Sequence, residues 1–206
     1  SLILSWLLAP MIRRFSDPFL VPAPRELGSL EDPTFEKFSI QTEDEQSELA
    51  CYLKADSKSQ PLVLFLHGWS SNSQRMLDRM QHLSNLGYHV AAFDYRGHGD
   101  SSHTGAWTAL QAAQDAISVL DSVIKQIGSD SITDLILYGH SMGGYVVCRM
   151  FHSTSKPMPI KCSKVILESS MASFPLIYNA RMQGRNKLIQ HMTRAALESR
   201  YRTLSA

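Results

Sequence analysis

Residues 135–150, LILYGHSMGGYVVCRM, decide the fold. The first half is a continuous apolar run, as expected of a strand covered on both faces. The second half has the spacing of an amphipathic helix. Between them stands Ser141, fenced by Gly139, Gly143 and Gly144. So sharp a turn from strand to helix leaves the residue at its tip in a strained backbone conformation. Glycines at 139 and 143 remove the Cβ atoms that would clash there, and Gly144 leaves room for close helix–strand packing. The Ser141 hydroxyl is then expected above the carboxyl ends of the strands, where open α/β sheets bind ligands.

Outward from this turn the chain alternates strand and helix. LVLFLH (62–67) reads as a buried strand, with a helix expected from Ser73 to Asn85 and ended by Gly87. YHVAAFD (88–94) is the next strand. A helix over 109–127 follows, carrying Ala113, Ala116, Ile117, Leu120, Val123, Ile124 and Ile127 on its apolar stripe. DLILYGH (134–140), a helix over 142–154 and KVILESS (164–170), a fourth buried strand, complete the alternation. Ahead of it, residues 35–53 read as two antiparallel strands joined by an acidic turn near Glu43 and Gln46. The expected fold class is therefore α/β: a mostly parallel, doubly wound sheet with an antiparallel N-terminal hairpin and helices on both faces.

Three regions follow. Residues 1–34 hold an apolar start and a proline-rich lead-in, residues 35–172 the core, and residues 173–206 the start of a helical cap. The cap is expected to present Leu188, Met192 and Ala195 on one face, with Arg181, Arg185, Lys187, Arg194, Arg200 and Arg202 adding charge. A solvated helical excursion and a membrane-touching lid are both open readings of it. The apolar run at the N-terminus is too short to span a bilayer, which needs about 20 residues. It fits the tail of an anchor, a signal-peptide core or a terminal segment packed on the domain. Membrane association through it stays open, and so does the choice between a cytoplasmic and a membrane-associated protein.

Composition narrows the rest. With 44% hydrophobic and 19% charged residues the chain is globular, and a net charge of +1 gives no footprint for nucleic acid. Cys51, Cys148 and Cys162 are odd in number and lack metal-ligand spacing, so neither a disulfide framework nor a metal site is expected; Cys148 reads as a small core residue. The histidines show no HExxH arrangement.

The chemistry centres on Ser141 within the G-x-S-x-G of residues 139–143. A helix that begins just after the serine offers unsatisfied N–H groups and a positive dipole end to a developing oxyanion. The Met142 N–H is one expected donor. LFLHGWSSN (64–72) supplies the second: Gly68 lets the chain pass close to the site, and the Trp69 N–H is the natural partner of the Met142 N–H. A two-step acyl transfer to water needs no cofactor, and the partner implied is a small-molecule acyl substrate.

HGW (67–69), DYRGHGDS (94–101) and GHSMGG (139–144), in that order and each after a strand, resemble the α/β-hydrolase family. Within it they look most like monoacylglycerol-lipase and serine-aminopeptidase-like hydrolases. VPAPRELG (21–28) and VILESSMASF (165–174) resemble the membrane-anchored branch. The resemblance implies a serine esterase or lipase acting on a lipid-like or small acyl ester or thioester, with peptidase activity a weaker option. It also implies that His98 belongs to a structural turn, that His67 and His140 shape loops, and that Glu168 is a structural carboxylate rather than a triad acid.

A serine needs a general base, and a carboxylate to orient that base. In hydrolases of this kind the order is serine, acid, histidine. After Ser141 the only histidines are His152, in the helix behind the serine, and His191, in the expected cap. Neither matches a histidine on a late loop, so the expectation is a chain that lacks its C-terminal part. A catalytically incompetent binding module, or a fragment completed by another chain, are the alternatives.

Overall fold

The computed structural model describes residues 9–15, 28–102, 107–152 and 156–204. The first eight residues, the lead-in over 16–27 and the end of the helix expected over 142–154 lie outside the described residues. Residues 9–15 are helical, and among the described residues no helix is long and apolar enough to cross a membrane.

The elements are β1 (Glu36–Gln41), β2 (Glu48–Lys54), β3 (Gln60–Leu66), a 3₁₀ turn (Ser73–Met76), α1 (Leu77–Asn85), β4 (His89–Phe93), α2 (Ala109–Ile127), a second 3₁₀ turn (Ser129–Ser131) and β5 (Ile132–His140). They continue with α3 (Met142–His152), β6 (Cys162–Glu168), α4 (Phe174–Met182) and α5 (Lys187–Leu204). One six-stranded sheet runs in the order β1-β2-β4-β3-β5-β6. The hairpin pairs antiparallel and joins β4 antiparallel, whereas β4, β3, β5 and β6 run parallel. The α/β class and the antiparallel N-terminal hairpin stand as the sequence predicts.

Two cores sandwich the sheet. On one face α2 and α3 cover Leu62, Leu64, Leu66, Ala91, Phe93, Leu135 and Leu137. On the other, Met76 and Met80 cover Val63, Phe65, Val90, Ala92 and Ile136. Alternate residues of one strand therefore go to opposite cores, which is why the central strands read as unbroken apolar runs. The longest helix, α2, starts on a capping box: Thr108 Oγ1 accepts from Gln111 N–H, and Gln111 Oε1 accepts from Thr108 N–H. Such a cap stabilises by about 1 kcal/mol.

Two expectations need correction. The helix expected from Ser73 begins as a 3₁₀ turn, because Ser73 N–H and Oγ both bond Asp94 and turn the first residues toward β4. Strand β6, expected to be buried, leaves Val165, Ile166 and Leu167 exposed: it pairs with β5 alone, and among the described residues no hydrophobic cluster includes these three. On α5 the face expected to hold Leu188, Met192 and Ala195 is largely open, with Leu188 65% exposed and Ala195 exposed, while among the described residues Thr193, Ala196 and Leu197 are buried.

Candidate active site

Ser141 is the single residue between β5 and α3, and its φ is +53°. That left-handed conformation is uncommon for a side chain other than glycine and costs on the order of 1 kcal/mol or more, so the surroundings must hold it. Three backbone bonds do. Ser141 N–H donates to Glu168 O at 2.9 Å, and Ser141 O accepts from Gly144 N–H at 3.2 Å and Met171 N–H at 3.1 Å. The end of β6 thus grips the turn from one side. The end of β3 crowds it from another: a Cβ on Gly143 would collide with the Leu66 carbonyl, and one on Gly144 with Ser170 Oγ. Glycine is required at both positions by contact.

The loop after β3 runs beside this turn. A methyl group at position 68 would lie 3.2 Å from Ser141 Cβ. Trp69 is half-buried, with its ring 5.4 Å from His98 and 5.6 Å from Trp107. Among the described residues neither the Trp69 N–H nor the Met142 N–H meets an acceptor. Trp69 follows Gly68 on this loop, and Met142 is the first residue of α3.

The loop after β4 braces the loop after β3. Asp94 is buried and accepts from Ser73 N–H at 2.7 Å, Ser73 Oγ at 2.8 Å, Asp100 N–H at 2.9 Å and Tyr52 OH at 3.2 Å. Burial pushes its carboxyl up, against the pull of those bonds. Arg96 is fixed by a bidentate pair with Asp115, at 2.6 and 2.8 Å, and by Asp44 at 2.6 Å. His67 and His98 are buried, and burial lowers both imidazoles to about 4.

Among the described residues no histidine or carboxylate hydrogen-bonds the Ser141 hydroxyl. His152 is exposed at the end of α3, and His191 is exposed on α5. The Glu168 carboxylate is engaged elsewhere, by Arg79 Nη2 at 2.6 Å and Tyr138 OH at 3.0 Å. The Arg79 bond holds it below its ordinary range. Cys148 is exposed rather than in the core, on the outer face of α3. Among the described residues no group of three His, Cys, Asp or Glu converges as a metal site would.

Strand ends, loop and helix start converge on one serine. The family model described as serine aminopeptidase, S33, matches residues 57–203. This chain belongs to the serine aminopeptidase, S33, family. As an S33 family member it sits in the α/β-hydrolase superfamily, and it is similar to proteins named as lipases. It is 36% identical over 94 residues to the lysophosphatidylserine lipase ABHD12 of Bos taurus, a match covering 45% of this chain and 22% of that protein. To the protein ABHD12B of Homo sapiens it is 34% identical over 108 residues, 51% of this chain and 28% of the other. The matched stretches thus span about a quarter of these curated relatives. Among solved structures, the Pyrococcus furiosus esterase Pf2001 superposes with a TM-score of 0.65 over 87% of this chain and 68% of its own, at 19% identity. A carboxyl esterase from Bacillus coagulans gives 0.58 over 75% and 54%, at 22% identity. At these identities the S33 chain shares their fold.

The resemblance to monoacylglycerol lipases finds its coarser form here, in the superfamily and in likeness to ABHD12-type lipases. What sequence reasoning missed is the pairing of the loops after β3 and β4. The signal was present: each loop carries a His-Gly pair, at 67–68 and 98–99.

Proposed function

We propose that this chain carries the nucleophile of a serine hydrolase that cleaves an ester or thioester of a lipid-like or small acyl group. One observation carries the reading: Ser141 stands at φ +53° between β5 and α3 with the Gly68 backbone against it. Ser141 Oγ attacks the acyl carbonyl, and the N–H groups of Trp69 and Met142 take the oxyanion. The tetrahedral intermediate expels the alcohol or thiol, leaving an acyl-enzyme that water then hydrolyses. The base that removes the serine proton, and the acid that orients it, are assigned to no described residue. S33 membership and likeness to a lysophosphatidylserine lipase support a lipid-like acyl ester. In this reading residues 35–172 are the catalytic core and 173–206 begin a cap over it, while 1–34 form a lead-in that can bring the domain to a membrane.

A second reading rests on the Ser141 hydroxyl having no histidine or carboxylate partner among the described residues: a binding or regulatory module, or a piece completed by another chain, that keeps the serine without the chemistry. Labelling by a fluorophosphonate separates them. The hydrolase labels at Ser141 and loses the label in Ser141→Ala, with ester turnover falling by at least about 1000-fold. Equal labelling of both proteins would sink the assignment of the nucleophile. Ligand binding with no label would favour the module.

A further inference from the structure

The loops after β3 and β4 are joined by two histidines that bond in opposite directions. His67, on the first loop, accepts Tyr95 N–H of the second at its Nε2, 3.2 Å, while its Nδ1 lies 2.8 Å from Gly68 O. His98, on the second loop, accepts Ser70 N–H of the first at its Nε2, 3.1 Å, while its Nδ1 lies 2.9 Å from Arg96 O. A backbone N–H can only donate and a carbonyl can only accept. Each ring is therefore neutral, with the proton on Nδ1 and a lone pair on Nε2. The His67 Nε2 also lies 4.0 Å from Asp94 Oδ1, but with its lone pair turned to Tyr95 it makes no ion pair there.

We propose that His67 and His98 form a reciprocal clasp that presets the loop carrying the Trp69 N–H, as positioning residues for the acyl transfer proposed above, on which this inference rests. Ser70 has φ +52°, a conformation that needs support, and its N–H is the group that His98 holds. His98 is itself fixed through the Arg96 carbonyl, and Arg96 through Asp115 and Asp44. Ser73 adds a third stitch by donating twice to Asp94. The segment 67–73 is thus tied to the loop after β4 on both sides of Trp69. Oxyanion donors act best when fixed before charge develops, because no reorganisation is then needed during the reaction. His98 touches no reacting atom; it acts through Ser70.

The test has a catalytic arm and a structural arm. His98→Leu keeps bulk and removes the acceptor, whereas His98→Gln places a side-chain oxygen near the Nε2 position. With a p-nitrophenyl ester, His98→Leu is expected to lower kcat about 100-fold with KM within about twofold, the size of effect that misplacing a catalytic group produces. His98→Gln is expected to recover at least about tenfold of that loss. Wild-type kcat in His98→Leu would overturn the clasp. The structural arm is nitrogen NMR of the labelled wild-type chain at neutral pH, which reads both tautomers directly. Nδ1–H with unprotonated Nε2 on both rings supports the proposal, and Nε2–H or a doubly protonated ring on either overturns it. Hydrogen exchange at the Ser70 amide should be slow in wild type and His98→Gln and fast in His98→Leu; equal rates in all three overturn it. If the wild type turns over no ester, the hydrolase reading fails alone, and the NMR arm still decides the clasp. Should His98→Leu not fold, the wild-type spectrum and His98→Gln carry the decision.

Discussion

Strands β3 and β6 carry nearly the same message in sequence and meet opposite fates. LVLFL in β3 and VIL in β6 are both unbroken apolar runs of the kind that sits inside a parallel sheet. Leu62, Val63, Leu64 and Leu66 are fully buried, and Phe65 nearly so. Val165, Ile166 and Leu167 are 41%, 40% and 49% exposed. The difference lies in neighbours: β3 has β4 and β5 beside it, and β6 has β5 alone. An apolar run states what cover a strand requires, and its neighbours determine what cover it gets. The other edge of the sheet shows a strand suited to its place. In β1, Phe38 and Ile40 pack on the core while Glu36, Lys37, Ser39 and Gln41 are exposed, as a protected edge should be.

The largest effect should come from the covered strand. Leu64→Ala removes a fully buried side chain from the core between β3 and α2, and should cost about 2–5 kcal/mol. Urea unfolding reads this as a fall in midpoint without a change of slope. A loss under about 1 kcal/mol would mean that β3 is no better covered than β6.

Next in size is the response to acid, which separates the loops after the central strands β3 and β4 from the edge strand β6 by pH. Burial holds His67 and His98 at about 4, whereas an imidazole in an unfolded chain takes its proton near 6.5. Between those values the unfolded state binds more protons. The stability is therefore full above about pH 6.5, falls as pH drops, and is lost by about pH 4. Asp94 and Asp115, both pushed up by burial, work in the opposite direction at the acid end. A net fall of about 2–3 kcal/mol is expected across the window. Glu168, at the end of β6, is held below its ordinary range by Arg79, so its contribution is lost only below its unfolded value, near 4.5. Denaturant melts at stepped pH should show Glu168→Gln lying a constant step below wild type above pH 4.5 and converging with it at lower pH, and His98→Gln with a shallower fall. A flat profile from pH 6.5 to 4 would contradict neutral buried rings.

How much of this was legible depends on whether the determinant is local. The turn at Ser141 was readable because its requirements sit within six residues: an apolar strand, glycines that Leu66 and Ser170 press against, and a helix start. The helix over Ala109–Ile127 was readable to its ends, since its stripe and its Thr108 cap are both local. The clasp was not. His67 and His98 lie 31 positions apart, and their tautomers are set by carbonyls and N–H groups that only the folded loops bring together. Cys148 went wrong because an apolar stripe in the sequence does not say where its edge lies, and α3 turns that residue outward.

The smallest effect should come from β6 itself. Ile166→Thr keeps the β-branched shape that suits a strand, so the local preference for extended backbone is largely preserved. What changes is apolar area, and at position 166 a large part of it already faces water. Full burial of an isoleucine is worth about 1.5–3 kcal/mol, so partial cover should make the substitution cost less than about 1 kcal/mol. Leu167→Thr, more exposed and on the opposite face of the strand, should cost no more despite its lost methylene. Both are read from urea midpoints against Leu64→Ala in the same buffer. Losses near 2 kcal/mol at 166 and 167 would mean that something covers β6 in solution. The contrast with β3 would then disappear, because both strands would have the cover that their sequences require.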